Sequence, residues 1–442
     1  MNSNTKFVAA KKYILNILWI FVDKGASLLI TFLTTVVVAR YLGPSDYGIL
    51  AYAISLGTLF AVAGHMGLSG LVVRELVKHP ERADETLGTC LGLKFIGMLS
   101  GFCLLLIYAV ITEWQNTIKF SMILIIGSAM LFNCFDVVDY WFQSKIKARY
   151  ITISRVAGIA SASLFKISLC FTGLSLLYFS LGNLIQSIVI AGLFIAIYKL
   201  TTGHSVTTWK FNKERARKLF SEGWLIYAGS VFAIVNLKAD QIMLEKMSGS
   251  SEVGIYAVAA QLSEAIYFIP IAIVATFFPK LISIHQNKQE FTLNLQRLFD
   301  LLFALAITIA IAFTFAAPFI ISFFFGAAYS ESSDILQIHI WACIFIFLRA
   351  AFSKWIIIEG ALIFSLITQG LGAFANIAAN LYLIPKFGGE GAAYATLLSY
   401  AASSYISLAI YKKTRPVFFM MTKAYLSPFR YLMLIASGKM NK

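Results

Sequence analysis

The chain has 442 residues, of which 59% are hydrophobic and only 13% charged, and its formal net charge is +15. A water-soluble domain of this length has no interior large enough for so much apolar surface, and the mean hydropathy of +0.79 points to the bilayer as the solvent. The basic excess is spread through the connectors between apolar stretches and forms no patch or motif, which excludes nucleic acid as the partner.

In chain order, stretches long enough to cross a bilayer fall at about 13–39, 47–70, 87–111, 119–143, 151–172 and 174–198. The polar stretch from Lys199 to Lys218 follows, and then a second series at about 218–243, 253–278, 296–318, 335–353, 356–384 and 390–411. Lipid offers no partner to open backbone groups, and runs such as Leu301 to Phe315 lack the period-two alternation of a barrel strand, so the spans are read as helices. The expected fold is an all-α polytopic membrane protein of about twelve transmembrane helices in two six-helix lobes. Residues 1–198 form the N-terminal lobe, 199–217 a cytoplasmic linker, 218–411 the C-terminal lobe and 412–442 a basic cytoplasmic tail. The apolar segment Tyr425 to Ser437 is too short to span and reads as interfacial. The first apolar stretch is too long for a cleavable signal core, and no small-residue cleavage site follows it.

The connectors alternate in charge. Counting from Lys6, Lys11 and Lys12 through Arg74, Lys78 and Arg82 to Arg349, Lys354 and the tail, 27 basic residues fall on one side, whereas the intervening loops hold only Arg40, Lys119, Lys246 and Lys386. The positive-inside rule then puts both termini in the cytoplasm, with anionic membrane lipids as neighbours of the basic loops. The cysteines Cys90, Cys103, Cys134, Cys170 and Cys343 all lie in apolar stretches without metal-ligand spacing, so they read as small hydrophobes, and no metal or cofactor is expected.

The two halves repeat. With an offset of 206 residues, Arg40, Gly43, Ser45, Asp46, Gly48 and Ile49 lie over Lys246, Gly249, Ser251, Glu252, Gly254 and Ile255, and Arg74 lies over Lys280. An even number of helices per half gives both the same orientation, hence a parallel repeat with a pseudo-two-fold axis along the membrane normal.

The string Val36-Val-Val-Ala-Arg-Tyr-Leu-Gly-Pro-Ser-Asp-Tyr-Gly-Ile-Leu-Ala-Tyr-Ala-Ile-Ser55, with Gly67-Leu-Ser-Gly-Leu-Val-Val-Arg-Glu75 beyond the second span, resembles the N-terminal signature of the polysaccharide-biosynthesis flippases. Span count, lobes and length are similar to the Wzx-type O-antigen flippases of the multidrug/oligosaccharidyl-lipid/polysaccharide exporter superfamily. The resemblance implies a bacterial inner-membrane protein that moves an oligosaccharide on undecaprenyl pyrophosphate from the cytoplasmic to the outer leaflet by alternating access. It also implies a place beside the polysaccharide polymerase and other assembly proteins. It does not identify the sugar.

Ionisable groups inside spans are costly unless they face protein or water, so each is a candidate. Helix 1 carries Asn16, Asp23, Ser27, Thr31 and Thr34 on one face, with Lys24 one step round. That face reads as the wall of an aqueous cavity, with bonding between helices as the competing explanation. The cations Lys24, Lys94, Arg155 and Lys166 suit a pyrophosphate headgroup, as does Lys238 nearer the outer end, although Lys94, Arg155 and Lys238 lie close enough to span ends to snorkel. Gln369, Asn376 and Asn380 share one face of helix 11 and suit either sugar hydroxyls or one another. Asp23, Asp136, Asp139, Asp240 and Glu264 are candidates for proton or sodium coupling, with charge balance for the lysines as the alternative. The pairs Gly88/Gly92 and Gly97/Gly101 on helix 3 let helices approach closely.

Two other functions compete. A drug or metabolite exporter of the same fold would rely on acids and aromatics rather than deep cations. An O-antigen polymerase or ligase, an enzyme, needs a substantial outer loop with activating Arg or His, and the longest here, Phe325 to Asp334, has neither.

Overall fold

The computed structural model describes residues 3–427 and 430, with side chains from residue 15 onward. Lys6, Lys11, Lys12 and most of the segment Tyr425 to Ser437 therefore fall outside the described side chains. The described chain is helical throughout, without strands, and separates into two compact units, Met1–Ile234 and Val235–Lys442.

The first unit holds α1 (Ser3–Ala61), α2 (Leu68–Lys78), α3 (Ala83–Glu113), α4 (Thr117–Phe132), α5 (Val137–Ser144), α6 (Ala148–Thr172) and α7 (Leu177–Thr202). It ends within α8 (Lys213–Met247). The second holds the rest of α8, then α9 (Ser250–Glu264), α10 (Phe268–Ser283), α11 (Lys288–Phe324), α12 (Ser332–His339), α13 (Ala342–Ile358), α14 (Leu362–Ala401), α15 (Ser407–Ile410) and α16 (Arg415–Tyr425).

Ten helical segments are apolar and long enough to cross a membrane. Two of them, Leu15–Gly64 and Leu362–Ile410, have 50 and 49 residues, about 75 Å at 1.5 Å per residue and more than twice a hydrocarbon core. Each is interrupted by one glycine outside the helical region, Gly43 (φ 72°, ψ 173°) and Gly388 (φ 52°, ψ −128°). Each therefore crosses twice, which brings the crossings among the described residues to the twelve expected.

The 206-residue repeat has a backbone counterpart. Gly249, the partner of Gly43 in the alignment, adopts φ 91° and ψ 173°. Both glycines sit in a region that L side chains avoid, and both turn the chain from one span into the next. The signature at residues 40–48 is therefore a helix–helix corner, with Pro44 placed where a helix's first turn needs no N–H. A Cβ added at Gly43 would meet no atom within 4 Å, so Gly43→Ala isolates the conformational cost. We expect it to lower stability by about 1–3 kcal/mol, read as a drop in melting temperature in detergent, whereas Gly192→Ala, in open space within α7, should leave it unchanged or slightly raised.

Of the two glycine pairs on α3, Gly97 and Gly101 do what the sequence suggests, taking the backbone of Ala63 and Phe60 against them. Gly88 and Gly92 instead seat the linker. A Cβ on Gly88 would lie 2.6 Å from the Lys210 backbone, and the Phe211 ring packs on Gly92. Lys210 N donates to Asp84 O at 3.2 Å and Asn212 N to Thr89 Oγ1 at 3.0 Å. Trp209, which donates to Tyr198 Oη at 3.1 Å, joins the Trp141–Tyr198 edge-to-face pair and caps the core formed by Leu76, Leu87, Val138 and Phe194.

Arg349, grouped above with the basic loops, is a buried residue inside α13. Its Nη1 donates to Ser403 O at 3.0 Å, in a π-helical turn (Ala402–Ile406) that separates α14 from α15, and it also reaches Thr368 Oγ1 at 3.4 Å. The span 335–353 puts it near an end, whereas α13 continues five residues further, to Ile358. The described part of the basic tail packs on the second unit: α16 lies against α11, Gln296 Nε2 donates to Met420 O at 3.0 Å, and Arg430 pairs with Asp300.

Candidate functional site

In the first unit, the start of α1 turns Asn16, Asp23 and Lys24 into one cavity of about 390 Å³. Asp139 and Gln143 of α5 and Thr152 and Arg155 of α6 close it from the other sides. The local sequence explains the arrangement. Asp23 follows Asn16 by seven residues and Gln143 follows Asp139 by four, so each pair shares one helical face.

Arg155 is the centre of the charge network. Its Nη2 lies 2.6 Å from Asp139 Oδ2 and its Nη1 3.6 Å from Asp23 Oδ2. Gln143 Nε2 donates to Asp139 Oδ1 at 3.1 Å. Asp139 and Asp23 are buried, at 2% and 6% exposure. Carboxylates that far from water are tolerable only when paired, and one guanidinium between two of them leaves a net negative charge. Lys24 restores neutrality. It is exposed to the cavity and has no ion-pair partner among the described residues. Asp23 Oδ1 is buried without a hydrogen bond.

The polar stripe of helix 1 serves both purposes that the sequence left open. Asn16 lines the cavity and also accepts from Ala148 N at 2.7 Å, tying α1 to the first turn of α6. Thr152 Oγ1 donates to Trp19 O at 3.0 Å across the same seam. Thr34 donates to Ile30 O of its own helix.

The other candidates lie elsewhere. Lys94, 1% exposed, sits 3.7 Å from Asp136 and 3.4 Å from Tyr140 Oη, over whose ring its Nζ also lies. Lys166 Nζ donates to Asn183 Oδ1 at 2.7 Å. In the second unit, Lys238 lies 3.8 Å from Glu264. Asp240, 2% exposed, accepts from Tyr256 Oη at 2.7 Å, Asn376 Nδ2 at 2.8 Å, Asn380 Nδ2 at 2.6 Å and the Thr396 hydroxyl. Asn380 also donates to Asn376 Oδ1 at 3.1 Å, and its own Oδ1 is buried and unpartnered. Gln369, half-buried on the same helix, is not part of that knot. Of the candidate cations and acids, then, Asp23, Lys24, Asp139 and Arg155 share a cavity, while Asp240 anchors a separate hydrogen-bonded node.

Sequence reasoning missed Gln143, Thr152, Tyr256 and Thr396. The four-residue step from Asp139 was a usable signal for Gln143. Tyr256 and Thr396 stand in apolar runs where no spacing distinguishes a carboxylate ligand from a packed side chain.

Residues 14–285 match the family described as polysaccharide biosynthesis protein. A Shigella flexneri protein named "Putative O-antigen transporter" is 21% identical over 310 residues, 68% of this chain and 74% of its own. An uncharacterised membrane protein of Methanocaldococcus jannaschii is 22% identical over 402 residues, 84% and 78% of the two chains. Among solved structures, the lipid II flippase MurJ in an inward-closed conformation superposes with a TM-score of 0.70 at 17% identity, covering 95% of this chain and 93% of that one. The MATE multidrug transporter DinF-BH gives 0.63 at 17% identity, covering 92% and 96%. At such identities these structures establish a shared fold.

Proposed function

Because the chain belongs to the polysaccharide biosynthesis protein family, we propose that it is a flippase for oligosaccharides carried on undecaprenyl pyrophosphate. It moves them from the cytoplasmic to the outer leaflet of a bacterial inner membrane by alternating access. The observation that carries this reading is Lys24, a cation without an ion-pair partner among the described residues, held inside a span and exposed to a cavity. A deep lysine that balances no single neighbour is available to an anionic substrate, and phosphate is an anion that lysine binds well as a point charge. Arg155 stands beside it as a second donor, released when phosphate oxygens replace one of its two carboxylates.

The two six-helix lobes are taken as 1–198 and 218–411, with the linker and both termini cytoplasmic on the basic-rich side. Lys94 and Lys166 lie beside the pathway and position its walls, and Lys238, paired with Glu264, and Gln369 belong to the second unit. Asp240, held by Asn376 and Asn380, is the coupling site for sodium or a proton, and Asp136 neutralises Lys94. A polysaccharide polymerase and assembly proteins are the expected partners, and no bond-making step is assigned to the chain.

Lys24→Ala tests the proposal directly. Lys24 is exposed and makes no ion pair among the described residues, so losing its charge should cost no more than about 1 kcal/mol, while complementation of a gene deletion should fail and lipid-linked glycan should accumulate in the cytoplasmic leaflet. Full complementation by this variant at normal expression would refute the assignment of Lys24.

A further inference from the structure

A second cavity of about 290 Å³ lies within the first unit, separate in lining from the charged one. Its polar wall is made of Thr58 and His65 at the end of the second crossing and just beyond it, Asn133 where α4 gives way to a 3₁₀ turn, and Asn183, Gln186 and Ser187 on α7. Ile54, Ile126 and Met130 supply apolar wall. The three α7 residues are spaced +3 and +1 and so share a face, and Thr58 and His65 reach the space from either side of the 3₁₀ turn, Val62–Gly64, that follows α1. No acid, lysine or arginine lines the space.

Side-chain amides cost several kcal/mol in hydrocarbon unless something satisfies them. Asn183 Oδ1 accepts from Lys166, which leaves its two Nδ2 hydrogens for the cavity. Asn133, Gln186 and Ser187 have no side-chain hydrogen bond among the described residues, and all three are only partly buried. Groups of this kind, gathered from three crossings on one cavity, are kept for a ligand or for water.

We infer that this pocket is the sugar subsite, holding the first monosaccharide ring of the lipid-linked substrate. The inference rests on the flippase reading above and adds to it the place and chemistry of glycan recognition. Three observations select a sugar. The lining holds no acid to favour a cationic drug, and its nearest cation, Lys166, stands behind Asn183 with its ammonium bonded to Asn183 Oδ1, so no basic side chain lines the space for a bare phosphate. Amide, hydroxyl and imidazole groups together offer donors and acceptors in many directions, as sugar hydroxyls require, since each donates one bond and accepts two. The volume suits one ring against an apolar wall and is too small for a whole oligosaccharide.

Position agrees. Along the α4–α5 segment, Asn133 is six residues before Asp139 of the charged cavity, about 10 Å along a 3₁₀ turn and the start of α5. It lies on the side away from the basic loops. A pyrophosphate near Lys24 and Arg155 would therefore present its first sugar towards Asn133 and Gln186.

The test uses the full chain in lipid nanodiscs. The probes are undecaprenyl pyrophosphate, bare or carrying one N-acetylglucosamine, N-acetylgalactosamine, glucose or galactose. The wild type should bind at least one glycosylated lipid about ten-fold or more tighter than the bare lipid, as two or three net hydrogen bonds would give. The near-isosteric Gln186→Met, alone and with Asn133→Leu and Ser187→Ala, should shrink that preference towards unity and leave bare-lipid affinity unchanged. The single variant keeps the test decisive should the triple one fold poorly. Lys24→Ala should instead weaken all five lipids together. Equal wild-type binding of bare and glycosylated lipids, or a sugar preference untouched by Gln186→Met and by the folded triple variant, would overturn the sugar subsite. Failure of the wild type to bind any of the five would overturn the flippase reading itself.

Discussion

Arg155→Ala is expected to abolish transport and to lower stability by about 3 kcal/mol, the lower end of the range for breaking a buried ion pair. The low end applies because the Arg155 side chain is itself 34% exposed, whereas that of Asp139 is 4% exposed. Without the guanidinium, Asp139 keeps only Gln143 and Asp23 keeps no cation within 4 Å, so two carboxylates face one another in low dielectric. Arg155→Ala with Asp139→Asn should recover most of the melting temperature, because an uncharged amide no longer needs a counter-ion. It should not recover transport if Arg155 also contacts the substrate. Arg155→Lys should fold and work poorly, since a single ammonium cannot reach both acids in the fork geometry of guanidinium. Thermal melts of the wild type, Arg155→Ala, Asp139→Asn and the double variant give the coupling energy between Arg155 and Asp139 as a double-mutant cycle. A cycle with no coupling, or transport retained in Arg155→Ala, would remove Arg155 from the site.

The spans, the lobes and the repeat were legible because each leaves a one-dimensional trace: length of apolar run, alternation of loop charge, a constant offset. Even the Gly43 and Gly249 corners were visible as aligned loop glycines, although the matching φ and ψ values were not. The cavity was half legible. Helix periodicity put Asn16, Asp23 and Lys24 together, but nothing in one dimension says that Arg155 will meet Asp139 rather than Asp136, or that Lys94 will turn to Asp136 and Tyr140 instead. Charges within spans draw attention because they are costly, and that emphasis hid the neutral pocket around Asn133 and Gln186. Its residues are ordinary singly and informative only when three crossings bring them to one place. Arg349 is misplaced for another reason: α13 runs on to Ile358, so the side chain lies inside the helix and folds inward to bond the π-helical turn at Ser403.

Asp240→Asn should produce the other large effect, on energy coupling more than on folding. The Asp240 carboxyl group receives Tyr256, Asn376, Asn380 and Thr396 at once, so its oxygens are satisfied without a basic residue beside them. Such a node can exchange its partners: turning the Asn376 and Asn380 amides over would replace two donors by two acceptors, which with Asp240 make an oxygen-lined place for a cation. Asp240→Ala would take the shared acceptor from four donors, of which Asn380 keeps Asn376 Oδ1 and Tyr256 and Thr396 keep one bond between them; at about 1–3 kcal/mol for each donor left bare, the protein should accumulate poorly. Asp240→Asn keeps one acceptor oxygen and the shape of the site, so it should fold with a loss of a few kcal/mol and move lipid at a rate that no longer responds to a sodium or proton gradient. Asn376→Ala and Asn380→Ala each remove one charge-assisted bond, about 1.5–3 kcal/mol, and should weaken the gradient response without abolishing it. Rates measured in proteoliposomes with each gradient imposed or collapsed separate these cases. Should Asp240→Asn respond to both gradients as the wild type does, the node is structural, and the coupling ion is expected at Asp23, whose Oδ1 is buried without a hydrogen bond.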